Sequence, residues 1–195
     1  MIYIGLDLGK MRDFTALAMV ETDGNNNGNS LAVRYLERAP LGTPYTRVVE
    51  RVSSLTRHPT LNGCCHLTID GSGVGSPVEE ALRSADGGWR AMTAITITAG
   101  NQARQASGYG IGERWNVPRR DLLSNVQVLL ENGKLKIAAK MPETRALVRE
   151  LIRLRRPASS STEDREEHDD LVMAVALACW QASRPKNGLS LNRII

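Results

Sequence analysis

Three β-forming runs follow one another at the start of the chain: "MIYIGLDLG" (1–9), "DFTALAMVET" (13–22) and "LAVRYLERA" (31–39). Each is rich in apolar and β-branched residues, and the longest link, "DGNNNGNS" (23–30), consists of turn formers. Successive strands with short links predict an antiparallel three-strand meander. The apolar period then changes. In "PYTRVVERVSSLTRH" (44–58), Val48, Val52 and Leu55 recur at helical spacing, with Arg47 and Arg51 directed elsewhere. "CHLTID" (65–70) reads as a buried strand, "GSGVG" (71–75) as a turn, and "AMTAITITA" (91–99) as a further strand. Between them "SPVEEALRS" (76–84) predicts a helix with Ser76 as N-cap, Pro77 in the first helical position and an acidic first turn.

Residues 100–117 are rich in Gly, Arg and Asn and read as a long loop. "PRRDLLSNVQVLLENG" (118–133) predicts a helix stopped at Gly133, and "KLKIA" (134–138) a short strand. "PETRALVRELIRLRR" (142–156) predicts an amphipathic helix with apolar Leu147, Leu151 and Leu154 and a stripe of Arg145, Arg149, Arg153 and Arg156. A polar loop (157–167) leads to a last helix from about 168 to 183, and residues 185–195 lack periodicity and read as a flexible tail. Meander followed by β-α-β predicts an α/β fold, a mixed sheet flanked by helices, as one domain over 1–184.

The composition narrows the setting. The 195 residues suit one such domain, and 42% hydrophobic with 24% charged residues is ordinary for a globular chain. A formal charge of +4 permits a polyanionic partner without demanding one. No run approaches the roughly 20 apolar residues of a membrane span, and no signal peptide is visible at the start. Cys64, Cys65 and Cys179 fit neither a disulfide framework nor a zinc pattern and read as small core fillers in a reducing compartment.

The candidate chemistry is carboxylate chemistry. Asp7 and Asp70 each end an apolar run, the first followed by Leu8 and Gly9 and the second by Gly71, which places both at the rim of the sheet. If the first and fourth strands are neighbours, the two face each other in the crevice outside the strand ends. "HDDLVMAVALACW" (168–180) sets His168, Asp169 and Asp170 ahead of ten uncharged residues, so the last helix could bring a third carboxylate across the crevice. Converging carboxylates repel and need raised pKa values or cations. An oxygen-only set suits Mg²⁺ or Mn²⁺, and two ions about 4 Å apart can hold the attacking and leaving oxygens of a phosphoryl displacement. Arg104, Arg114, Arg119 and Arg120, in or beside the long loop, are candidates for phosphate contact, with the Arg145/Arg149/Arg153 stripe as a competing surface. Each piece also has a plain reading. Asp7, Asp13 and Asp70 can be turn residues, Asp169 or Asp170 a helix cap, His168 a surface residue, and the arginine stripe a solvated face.

Taken in order, "IGLDLGKMRDFTAL" (4–17), "LTIDGSGVGSPV" (67–78), "VPRRDLLSNVQVLLENGKLKI" (117–137) and "HDDLVMAVALA" (168–178) resemble the nuclease domain of the large terminase subunit of tailed bacteriophages, in the ribonuclease H-like superfamily. The resemblance spans nearly the whole chain. It implies a metal-dependent endonuclease that cuts double-stranded DNA during genome packaging, with Mg²⁺ or Mn²⁺ as cofactor. The catalytic and metal-binding carboxylates it implies are Asp7, Asp70 and one or both of Asp169 and Asp170, with His168 as a further candidate ligand. It also implies an ATPase motor domain, a small terminase subunit and a portal as partners, and the cytoplasm of an infected bacterium as the place of action. One departure is plain: no G-x-x-x-x-G-K-[ST] motor motif occurs, so an excised domain or a free-standing relative is expected. The competing classes are a Holliday junction resolvase, an actin-like kinase suggested by "GLDLG", and a non-catalytic packaging or DNA-binding module.

Overall fold

The computed structural model describes residues 1–9, 13–22, 30–72, 75–106, 112–154 and 168–184. Residues 23–29, the whole 157–167 loop, Arg156 and the 185–195 tail lie outside the described residues.

The strands are β1 (Ile2–Asp7), β2 (Ala16–Thr22), β3 (Leu31–Arg38), β4 (Cys65–Asp70), β5 (Trp89–Thr98), β6 (Arg104–Gln105), β7 (Glu113–Pro118) and β8 (Leu135–Ile137). They form one mixed sheet in the order β6-β7-β5-β4-β1-β2-β3-β8. The expected meander is present, with β1, β2 and β3 paired antiparallel. β4 lies parallel to β1, β5 to β4, and β7 to β5. The C-terminal ends of β1, β4, β5 and β7 therefore share one rim of the sheet.

The helices are α1 (Tyr45–Thr56), α2 (Gly75–Ser84), α3 (Arg119–Glu131), α4 (Thr144–Leu154) and α5 (Asp170–Ser183). They divide by face. Ile4, Leu6, Leu67 and Ile69 pack with α1 and α2 side chains such as Val52 and Leu82. Tyr3, Ala18, Val20 and Ile95 belong to the opposite core, with α3, α4 and the whole middle of α5. The period of 2 along each strand produces this division. α5 is apolar around its full circumference and is buried from Asp170 through Cys179. Burial of Leu171, Val172, Met173, Val175 and Leu177 contributes on the order of 10 kcal/mol at about 2 kcal/mol each. That exceeds the several kcal/mol that burying one carboxylate, Asp170, costs.

Three sequence expectations change. The stretch 100–117 contains β6 and β7 rather than a continuous loop; β7 reads "ERWNVP", too polar on its outer half to stand out. Helix α2 begins at Gly75, not after Ser76, and no acidic residue falls in its first turn. Glu79 is instead buried and paired with Arg83 at 2.5 Å and Arg114 at 2.7 Å. Cys64 is exposed, whereas Cys65 and Cys179 fill the core as expected. No described helix is long and apolar enough to cross a membrane.

The tightest packing is between α5 and β1. A Cβ at Gly5 would lie 1.9 Å from the Ala174 carbonyl oxygen and 2.9 Å from the Ala178 nitrogen. Only glycine allows this approach. Gly5→Ala is expected to destabilise the fold by about 3 kcal/mol, because the obstacle is helix backbone, which cannot rotate away. Gly42 has φ 76° with nothing near its side-chain position, so Gly42→Ala should cost only about 1 kcal/mol. Urea denaturation of the two variants checks the contrast, and equal losses would refute the packing argument.

Candidate active site

The contact at Gly5 sets the geometry of the rim. The side-chain position of Gly5 faces α5, so two residues on, the Asp7 side chain faces the same way. Asp170 precedes Ala174 by about one helical turn, or about 6 Å, which matches the rise of two strand residues from Gly5 to Asp7. Strand and helix thereby deliver Asp7 and Asp170 to the same place. The parallel register pairs Leu6 with Ile69, and one further step sets Asp7 beside Asp70, as expected for neighbouring first and fourth strands.

These residues border an open crevice of ≈ 380 Å³ lined by Asp7, Asp13, Asp70, Asp169, Asp170 and Arg119, with Ile97 and Met173 among its apolar contacts. Asp13 was not singled out by the sequence beyond a turn role. It reaches the crevice because Gly9, just after β1, lies against the backbone of Asp13 and Phe14. A Cβ at Gly9 would meet the Asp13 carbonyl oxygen at 2.3 Å. The loop is further tied by Gly9 N–H donating to Thr15 Oγ1 (3.1 Å) and Tyr45 Oη–H donating to the Gly9 carbonyl (2.9 Å). A second aspartate six positions after Asp7, across a glycine, was the only sequence signal for it.

Asp70 occupies the turn position of its plain reading and also lines the crevice. Its Oδ1 accepts from Ser72 N–H (2.8 Å) and Ser72 Oγ–H (2.5 Å), while Ser72 Oγ accepts the Ile97 N–H (2.6 Å). This turn fixes the carboxylate at the crevice. Asp169 and Asp170, indistinguishable in sequence, are separated by the structure. Asp169 precedes α5, makes no side-chain cap and pairs with Arg119. Asp170 is buried, and its Oδ2 has no hydrogen-bond partner among the described residues. His168 lies beside it, with Nδ1 3.9 Å from that oxygen and its ring edge-on to Phe14.

The electrostatics follow. Burial, then the charges of Asp70, Asp170, Asp13 and Glu150, hold the Asp7 carboxyl well above its ordinary range. Burial also raises Asp170, against the opposing pull of Arg38 and His168. Among the described residues no three His, Cys, Asp or Glu side chains are grouped so as to hold one metal ion; the carboxylates stand apart around an open crevice. The donor set nonetheless fits a hard divalent cation. It is all oxygen, and it is short of positive charge at Asp7.

The four candidate phosphate-binding arginines fall in different places. Arg119 opens α3 at the crevice, and Arg120 beside it donates to the Asn101 carbonyl (2.8 Å). Arg104 is exposed on β6. Arg114 is partly exposed and pairs with the buried Glu79, away from the crevice lining. The Arg145 and Arg149 pair lies exposed on α4, also outside that lining.

No protein-family model and no curated protein sequence matches this chain. Its three-dimensional structure does have counterparts. The large terminase nuclease from thermophilic phage G20c is 23% identical, with a TM-score of 0.59 over 93% of this chain and 82% of that one. The large terminase nuclease domain of bacteriophage SPP1, solved with bound Mn, gives 15% identity and a TM-score of 0.55 over 92% and 85%. The human cytomegalovirus terminase nuclease domain gives 15% and 0.53 over 92% and 81%. The fold is ribonuclease H-like. At these identities the likeness is one of fold.

The raised Asp7 pKa makes a stability prediction. A carboxyl whose folded pKa lies above its unfolded value, about 4, stabilises the fold fully below that value and loses the contribution as pH rises through the folded pKa. Asp7→Asn removes the titration. In EDTA its melting temperature should exceed that of the parent by a margin that widens from pH 5 to pH 8. A margin that stays constant or narrows would contradict the repulsion described above.

Proposed function

We propose that this chain is a divalent-cation-dependent endonuclease that cuts double-stranded DNA, as in the nuclease step of phage genome packaging. The observation that carries the reading is the convergence of Asp7, Asp70 and Asp170 on one crevice, in a strained, cation-deficient arrangement. The fold shared with terminase nucleases supports it, as does the Mn bound in the SPP1 domain. Asp7, Asp70 and Asp170 would hold Mg²⁺ or Mn²⁺, with Asp13 at the open side. The expected complement is two ions. A bound cation supplies Lewis-acid charge that stabilises a phosphate under attack.

The chain's own residues do the rest. The buried faces of Asp7 and Asp170 fix where positive charge gathers. Ser72 orients Asp70 through two hydrogen bonds. Arg119 and Arg120, at the start of α3, lie where a DNA backbone entering the crevice would pass, and an exposed ion pair such as Arg119–Asp169 exchanges readily for a phosphate. In a packaging assembly the motor domain, small subunit and portal would present the DNA.

Plasmid cleavage in parallel with EDTA, Mg²⁺ and Mn²⁺ tests the proposal. Cleavage should require the cation. Asp7→Asn, Asp70→Asn and Asp170→Asn should each abolish it while leaving metal-free melting within a few degrees of the parent or above it. Asp169→Asn should retain measurable cutting, since that side chain faces Arg119. Cleavage that persists in EDTA, or survives Asp170→Asn, would reject the site; DNA binding without cleavage in Mg²⁺ or Mn²⁺ would mark a non-catalytic module instead.

DNA affinity gives a second measurement. On duplex DNA, log affinity falls with log salt by about 0.9 per phosphate contact. Arg119→Ala with Arg120→Ala should flatten that slope by about 1.8. An unchanged slope, with flattening by Arg145→Ala and Arg149→Ala instead, would move the DNA to the outer face of α4.

A further inference from the structure

Arg38 ends β3, outside the crevice lining, yet it is connected to the crevice through two carboxylates. It pairs with Glu150 of α4, and its Nε lies 3.9 Å from Oδ2 of Asp170. Glu150 is almost fully buried, and its other oxygen accepts the Val172 backbone N–H at 3.0 Å. Val172 is the third residue of α5, so this bond satisfies one of the donors a helix start leaves open, which Asp169 does not cap. A carboxylate from a neighbouring helix thus fixes the start of α5 and the guanidinium behind it together.

Two polar atoms are left over in this arrangement. Among the described residues, Arg38 Nε is a buried donor without a partner, and Asp170 Oδ2 is a buried acceptor without a partner. They are the same two atoms that stand 3.9 Å apart, so each lacks what the other offers. The Phe14 ring closes the guanidinium from another side at 5.2 Å, and His168 packs edge-on against that ring. A planar guanidinium can serve two carboxylates at once; an ammonium on a flexible stem cannot hold that fork.

We propose that Arg38, seated by Glu150, is a positioning residue for Asp170. Its fork engages Glu150 with one nitrogen and one oxygen of Asp170 with another, so that the second Asp170 oxygen is presented to a divalent cation in the crevice. This rests on the reading of Asp170 as a cation ligand. Groups that orient a ligand in this way typically change metal affinity by 10- to 100-fold when removed.

The test is calorimetric titration of the full chain with Mn²⁺ alone, well below the melting temperature, on the parent, Asp170→Asn, Arg38→Gln and Arg38→Lys. Arg38→Gln is expected to weaken Mn²⁺ binding by at least about tenfold. Arg38→Lys, which keeps the charge and loses the fork, is expected to weaken it as well, and it serves where the glutamine variant does not fold. In plasmid cleavage both variants should need more Mn²⁺ for half-maximal rate yet approach the parent rate at saturating Mn²⁺. A merely structural pair would lower the melting temperature and leave that split untouched. Parent-like or tighter Mn²⁺ binding by folded Arg38→Lys, with Asp170→Asn binding weakly, overturns the role of Arg38 alone. Failure of the parent to bind Mn²⁺, or parent-like binding by Asp170→Asn, overturns the metal reading and this inference with it.

Discussion

The close approach of α5 to β1 at Gly5 is the contact on which the rest of the structure depends. Ordinary helix-on-sheet packing keeps a layer of side chains between the two backbones. Here the Ala174 carbonyl occupies the space where a side chain of β1 would be. The consequence is registration. A helix apolar on every side has no amphipathic stripe to fix its rotation, and hydrophobic burial alone would accept several rotations of α5 at similar free energy. Backbone contact at Gly5, the small Ala174 and Ala178 above it, and the Glu150 bond to Val172 select one. That choice sets Asp170, and not its neighbour, over the end of β1.

The site carries a standing electrostatic cost. Asp7, Asp13, Asp70, Asp169 and Asp170 share the crevice, with Glu150 close behind, and the raised pKa values of Asp7, Asp170 and Glu150 record their burial and mutual repulsion. A fold optimised only for stability would replace such a cluster with apolar side chains. It persists at the rim of a sheet whose two cores are otherwise closely packed and apolar, which is where functional sites keep their local conflicts.

Much of this was legible in the sequence, for reasons that are local. The period of 2 in residues 1–39 and the period of 3.6 in 44–58, 118–133 and 142–156 mark elements whose faces differ, and the structure has those elements within a few residues of the expected bounds. The two strand-end aspartates could be placed because an apolar run ending in Asp, with a glycine one or two residues on, is a local pattern. β7 was not legible, since "ERWNVP" is half polar and draws its strand conformation from pairing with β5. Asp13 was read as a turn, and its place in the crevice comes from the fold-back at Gly9. Arg38 and Glu150 are 112 residues apart and share no pattern; only the packing of α4 beside β3 and α5 joins them. The Asp169–Asp170 ambiguity had the same origin, because the discriminating partner, Arg119, is 50 residues away.

The two arginines that meet the acidic rim differ in what they can do, and the difference follows from burial. Arg119 pairs with Asp169 in contact with solvent, its side chain 48% exposed. Such a pair is worth little, is screened by salt and re-forms easily with another anion. Arg38 is 20% exposed against a Glu150 that is 5% exposed, and its Nε has no access to water. Removing either partner of that pair would leave a buried charge without compensation, a far larger penalty than the pair's own net stabilisation. On the proposed reading the exposed arginine is therefore suited to trading its carboxylate for a phosphate. The more deeply set one is suited to staying in place, holding one oxygen of Asp170 while the other is left for a cation. On the proposed reading one rim carries both kinds of counter-charge, a mobile one for the substrate and a fixed one for the ligand set, assigned by depth rather than by residue type.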